Sequence, residues 1–138
     1  MSTKLDITSI QYMNLFFRIT GVKARFCFPY ASSLIFIVNF EDLNRAIGEK
    51  GVNIRKMGIA IKKRIKIITS PSPERISRFV GALVSPLKFK KLTVENEEIT
   101  IRAGPQAKAS LIGRNHANLD QLQNILKYYF KIRSLRIV

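Results

Sequence analysis

At 138 residues, with 24 Lys and Arg against 9 Asp and Glu, the chain carries a formal charge of +15 and has room for one ordinary domain or two very small ones. The excess is shared, +8 over residues 1–66 and +7 over residues 67–138, which excludes a basic tail and points to a folded surface facing a polyanion. A lone Cys27 and a longest apolar run of only residues 34–38 exclude a disulfide framework, a cysteine-based metal site and a bilayer span.

Apolar residues at Ile7, Ile10, Met13 and Phe17, joined by Leu15, Phe16 and Ile19, predict a mostly buried helix over 7–19, with Gly21 as its stop. Residues 24–30 are aromatic-rich and predict a strand, in which Cys27 reads as a buried, inert thiol. After an Ala31-Ser32-Ser33 turn, 34–38 is continuously apolar and predicts a strand covered on both faces. Asn39 with Asp42 three residues on resembles an N-cap opening a short helix to Ile47. Beyond a Gly48-to-Gly51 turn, Ile54, Met57, Ile61 and Ile65 recur at helical spacing, and 65–69 is a β-branched strand.

Ser70-Pro71-Ser72-Pro73 is the only linker-like stretch. It also suits a helix start, with Ser72 as cap, Pro73 in the first turn and Glu74 on the dipole. That helix carries Ile76, Phe79, Val80 and Leu83 and stops before Pro86. A hairpin of 88–94 and 98–102, a helix opened by Pro105 and reaching Ile112, a helix over 118–130 and a strand over 135–138 complete the chain. The order helix, strand, strand, helix, helix, strand thus occurs twice, in units of about 65 residues. The N-terminus, Met1 to Asp6, lacks an apolar signal core, and with the absent disulfides this suggests a cytoplasmic protein.

The duplication is sharpest at Ile47-Gly48-Glu49-Lys50-Gly51-Val52-Asn53-Ile54, which returns 65 positions later as Ile112-Gly113-Arg114-Asn115-His116-Ala117-Asn118-Leu119. A Gly-x-x-Gly link between helices lets backbone amides approach a phosphate and sets the next helix N-terminus beside it. Alone, the pattern is most often a plain helix–helix turn. Repeated in register in a basic chain, it points to a clamp for single-stranded nucleic acid. In the first copy Lys50 supplies a cation that Glu49 partly offsets, and Ile47 and Ile54 flank the loop as apolar support for a base. Arg55 and Lys56 at the helix start, Asn53 beside them and Arg45 one turn upstream complete the candidate contacts. Lys62, Lys63 and Arg64 read as contributors to the general field.

In the second copy His116 stands where the second glycine would be. A bulky residue there hinders close backbone approach and can force a different turn. Gly113, Arg114, Asn115 and Asn118 keep a cation and hydrogen-bonding amides near Ile112, so this loop reads as an altered contact. His116 itself, the only histidine, reads as an exposed loop residue or a base-stacking one. A Gly48→Asp/Lys50→Asp double change is expected to cause a large loss of affinity with the fold retained.

No Ser/His/Asp set, phosphate-cradling P-loop or metal-ligand spacing occurs, and the acidic residues are scattered through turns and helix starts. The expectation is a protein that is not an enzyme, with no cofactor, no metal, no small-molecule substrate and no membrane partner.

With Ile47-Gly48-Glu49-Lys50-Gly51-Val52-Asn53-Ile54 in the six-element order, each unit resembles a type II KH domain. Two in tandem over nearly the whole chain resemble the archaeal NusA-like transcription factors. The resemblance implies an α+β fold with a KH domain at 1–70 and a second, with a degenerate loop, at 71–138. Each would carry a three-stranded sheet. It implies RNA binding in transcription elongation or termination, with single-stranded, nascent RNA as ligand and RNA polymerase as candidate partner. A ribosome-associated or RNA-processing role for the same domains, and a protein-interaction module that has lost RNA binding, are the competing readings.

Overall fold

The computed structural model describes residues 7–138; the signal-segment reading of Met1 to Asp6 lies outside them. The chain divides into two compact units, one ending at Ser70 and the other running over Pro71–Val138. The described residues form six α-helices and two three-stranded sheets, an α+β fold.

In the first unit, α1 (Ile7–Thr20) precedes a hairpin of β1 (Phe26–Tyr30) and β2 (Ser33–Val38). A single 3-10 turn over Phe40–Asp42 leads into α2 (Leu43–Ile47), and α3 (Val52–Ile61) and β3 (Arg64–Thr69) follow. The sheet order is β1-β2-β3, with β1 antiparallel and β3 parallel to the central β2. All six residues of β2 are buried, as a continuously apolar central strand requires. Phe36 on β2 stacks on Phe16 of α1 with centroids 4.5 Å apart and rings inclined by 15°. Around that pair gather Val22, Cys27, Met57 and Ile67, with Leu43, Ile47, Ile54 and Ile61 half-buried against them. Neutral polar groups are also taken inside, Thr20 and Tyr30 among them. Thr20 donates to the Phe16 carbonyl at 2.8 Å and accepts from the Val22 amide at 3.0 Å, closing the end of α1. Burial pushes the Tyr30 hydroxyl pKa up to about 12, because desolvation disfavours the phenolate.

The second unit repeats the plan with α4 (Ile76–Val84), β4 (Lys91–Glu95), β5 (Glu98–Arg102), α5 (Pro105–Ile112), α6 (Ala117–Tyr129) and β6 (Ser134–Ile137). Its sheet has the same mixed order, β4-β5 antiparallel and β5-β6 parallel. Phe79, Val80, Leu83 and Val84 make α4 apolar on one face, and Leu122, Ile125 and Leu126 do so for α6. Phe79 meets Tyr129 edge-on at 5.3 Å, joining the two helices. Both hairpins turn through two residues of positive φ, Ala31-Ser32 and Asn96-Glu97, the backbone hand that matches strand twist. Glu97, in the second of these turns, lies near Lys131 and Arg133, at 3.9 and 3.8 Å.

Three sequence expectations change. Asn39 makes no side-chain cap, and the chain enters α2 through the 3-10 turn instead. Ser72 makes no backbone cap either. The Glu74 carboxyl is held below its usual range by its own backbone N–H first and by Ser72 second. The strand expected from Lys88 begins only at Lys91, because Leu87 is still tied to the end of α4, its N–H donating to the Val84 carbonyl at 3.0 Å.

Candidate nucleic-acid interface

The loop between α2 and α3 begins where Gly48 takes φ 80° and ψ 163°, a combination essentially restricted to glycine. Lys50 (φ 54°, ψ 28°) and Gly51 (φ 75°, ψ 21°) then turn left-handed. The Gly48 N–H donates to the Asn44 carbonyl at 3.0 Å, and the Gly51 N–H to the Gly48 carbonyl at 3.0 Å. Both glycine amides are therefore used within the turn. The glycines shape the loop, and the residues between them present its outer edge.

The second loop makes the same turn. Gly113 lies at φ 76°, ψ 170°, Asn115 at φ 55°, ψ 31°, and His116 at φ 62°, ψ 19°. The His116 N–H returns to the Gly113 carbonyl at 3.2 Å. The expected change of turn at His116 does not occur. A Cβ at Gly51 would meet nothing closer than an Arg55 guanidinium nitrogen at 3.6 Å, so the second glycine position is open. The substitution costs only the left-handed strain of a non-glycine residue, which histidine tolerates better than most.

Asn53 and Asn118, expected as direct contacts, have side chains turned into the protein. Asn53 Nδ2 donates to the Arg45 carbonyl at 3.2 Å, and Asn118 Nδ2 donates to the Ser110 carbonyl at 3.0 Å, each eight residues back. Each amide clips its loop to the last turn of the preceding helix and occupies the space a Cβ on Gly48 or Gly113 would need. The signal was present in sequence as an Asn five residues after the first glycine of both copies. Asn53→Ala should cost about 1 kcal/mol in urea unfolding, the net worth of one such bond. Asn118→Ala should cost the same. A loss below a few tenths for both would show that the clips do not hold the loops.

Around the first loop the cations are exposed. Arg55 donates to the Lys50 carbonyl at 2.6 Å, which orients its guanidinium along the loop. Lys56 and Lys50 project into solvent. Arg45 is paired with Asp42 at 3.2 Å, so it comes to the site partly neutralised. Ile47 and Ile54 are half-buried against the core and anchor the helices on either side of the loop. Ile112 is half-buried too. Lys62, Lys63 and Arg64 do more than supply field. With Arg55, Gly58, Ile59 and the Ala31-Ser32 turn they line an open groove of about 990 Å³ along α3. Ile59 is 77 % exposed there; it lies off the buried helical face and sequence periodicity passed over it. Lys66, farther along β3, has its ammonium pKa held below the usual range, by burial first and by the Arg64 charge second.

The second loop differs in charge more than in shape. Counted 65 positions on, Asp120 replaces Arg55, Gln121 replaces Lys56 and Arg114 replaces Glu49. Residues 48–56 carry a formal +2, whereas 113–121 carry 0 with His116 neutral. Arg114, Asn115 and His116 are all exposed.

Two α+β units, each with a mixed three-stranded sheet and a helix–left-handed turn–helix element, are consistent with tandem KH-like domains. Full-length comparisons narrow the class. The chain is 22 % identical to the probable transcription termination protein NusA of Methanococcus vannielii, over 100 % of this chain and 81 % of that one. It is 23 % identical to the protein of the same name from Methanocaldococcus jannaschii (98 % and 75 % covered). To that of Halococcus morrhuae it is 20 % identical (99 % of both). The crystal structure of APE1850 matches with a TM-score of 0.67 and 26 % identity over 97 % of this chain and 100 % of that one. No family model matches. Over nearly its whole length the chain is thus similar to archaeal proteins named NusA. Among the described residues no helix is long and apolar enough to cross a membrane.

Proposed function

We propose that this protein binds single-stranded RNA through two type II KH domains, residues 1–70 and 71–138, and acts on nascent transcripts in elongation or termination, with RNA polymerase as its protein partner. What supports the reading most is the pair of loops with one backbone conformation and one asparagine clip, in a chain similar along its whole length to proteins named for transcription termination. The parallel pairing of the last strand with the central one in each sheet supports the type II assignment. In the bound state the backbone N–H groups of Glu49 and Lys50, the Lys50 ammonium and the Arg55 guanidinium meet successive phosphates. Bases lie in the groove against Ile59, between Arg55 and the Lys62-Lys63-Arg64 cluster. The second loop presents Arg114, Asn115 and His116 to a neighbouring stretch with weaker electrostatic pull.

Such a ligand is held mainly by its phosphates, so affinity must fall with salt. Each neutralised phosphate of a single strand contributes about −0.7 to the slope of log affinity against log salt. Four to five contacts predict a slope of about −3, measured by anisotropy of a labelled single-stranded RNA from low to physiological salt. A slope near zero, or equal affinity for a duplex of the same sequence, contradicts the reading. Co-purification with RNA polymerase, rather than with ribosomes, checks the transcription arm.

A further inference from the structure

Beside Arg45 of α2, a second depression of about 640 Å³ is lined by Phe17, Lys23, Arg25, Asn39, Asp42 and Arg45, among others. It shares Phe17 with a shallower one of about 400 Å³ whose lining includes Asn14 and Arg18. Phe17 is 46 % exposed, although it lies one residue from the fully buried Phe16, so its ring forms part of a surface. Next to Asn39 in sequence, Phe40 is 82 % exposed. The two depressions bring Arg18, Lys23, Arg25 and Arg45 to one strip against a single lining carboxylate, Asp42, which is already engaged by Arg45 at 3.2 Å. Arg45 joins this strip to the first loop: its carbonyl holds Asn53 and its guanidinium lines the cleft.

We propose that this cleft is an additional nucleotide site, in which a single-stranded RNA leaving the first loop passes Arg45, sets its phosphates on Lys23 and Arg25, and stacks a base on Phe17. Cations tracking a backbone beside an exposed aromatic ring are the pairing by which single strands are held without sequence readout. An acidic peptide would use the cations but gain little from a flat ring face, so the RNA occupant accounts for more of the cleft. The inference rests on the RNA-binding reading above and extends the bound strand beyond the few nucleotides a loop and its groove accommodate.

The test uses the full chain and two labelled single-stranded RNAs, one of about four nucleotides, which the loop and groove can fill alone, and one of about twelve. Phe17→Ala should weaken the long RNA about tenfold and leave the short one unchanged, while Phe17→Trp, which can still stack, should restore binding. Lys23→Ala/Arg25→Ala should reduce the salt slope for the long RNA by about 1.4, two phosphates' worth. With 4-thiouridine in the long RNA, cross-links should map to the segment around Phe17. The Lys50→Asp/Gly51→Asp loop variant separates the two claims. If the long RNA is indifferent to the cleft variants but lost by the loop variant, the cleft proposal is overturned and the loop reading stands. If the cleft variants weaken the long RNA and the loop variant does not, the cleft stands and the loop reading fails. Unchanged long-RNA affinity in the cleft variants overturns the proposal even if an acidic peptide binds there, and a wild type that binds no RNA overturns both.

Discussion

Lys50→Asp combined with Gly51→Asp is expected to lower affinity for single-stranded RNA by about a hundredfold while leaving the fold intact. The change places two carboxylates at the outer edge of the turn and moves its formal charge by −3. A charged hydrogen bond to a phosphate is worth about 1.5–3 kcal/mol, and two such contacts, those of Lys50 and Arg55, are disturbed together. The lower end of that sum, about 3 kcal/mol, corresponds to about two decades in affinity. The backbone can accommodate both changes. Lys50 already holds a left-handed conformation. Asp is among the residues that adopt it most readily, and the space beside Gly51 is open to 3.6 Å. The thermal midpoint followed by circular dichroism should therefore fall by only a few degrees, about 1 kcal/mol in a unit of this size. Affinity within twofold of wild type, with an unchanged spectrum, would mean that this loop is not the phosphate contact.

The choice of Gly51 over Gly48 illustrates what sequence could and could not disclose. Turn residues located Pro105–Ile112 and periodicity the core faces of α4 and α6, because helical spacing and turn residues act locally; in α1 the expected buried stripe fails at Ile10 and Phe17, which are exposed while Phe16 is fully buried. The repeat at Gly48 and Gly113 exposed the duplication for the same reason: the turn needs a glycine at its first position in both copies. Sequence did not distinguish the two glycines of one loop, since both appear as the same letter. In the folded loop one packs against an asparagine while the other has room for a side chain. For that reason His116 reads in sequence as a broken motif and in structure as a conservative replacement. The inward turn of Asn53 and Asn118, and the outward turn of Ile59, depend on side-chain direction around a helix rather than on residue type. The cleft at Phe17 and Arg25 is completed by Asn39, Asp42 and Arg45 from beyond the β1-β2 hairpin, so no local pattern announces it.

The asymmetry between the loops follows from charge once shape is held constant. With backbone angles matched and each loop clipped by an asparagine, substitution of Arg55 by Asp120 and Lys56 by Gln121 is the largest remaining difference. A helix start beside a phosphate favours negative ligands through its dipole. In α6 an aspartate already occupies that first turn, so under the proposed RNA-binding reading the second loop would give a phosphate less attraction even though its backbone angles match.

The first glycine of each loop is where stability should respond most. Gly48→Ala meets two penalties at once. The φ 80°, ψ 163° conformation costs a residue with a Cβ about 1–3 kcal/mol. The new methyl would also lie 2.8 Å from Val52 Cγ1 and 2.9 Å from the Asn53 amide. Crowding of that kind adds about 1–3 kcal/mol, and relief by swinging Asn53 away gives up its bond to the Arg45 carbonyl. The expected total of about 3–4 kcal/mol is a large share of the ~5–15 kcal/mol that holds a typical domain, so urea unfolding should shift strongly. Gly113→Ala should behave alike, because its Cβ would stand 2.8 Å from Asn118. Gly51→Ala pays only the left-handed term, about 1 kcal/mol, and with nothing nearer than 3.6 Å it needs no neighbour to move. The ratio between Gly48→Ala and Gly51→Ala is therefore the informative quantity. Equal losses would mean that the asparagine clip yields freely, and the loop's shape would then have to be set by the helices on either side of it.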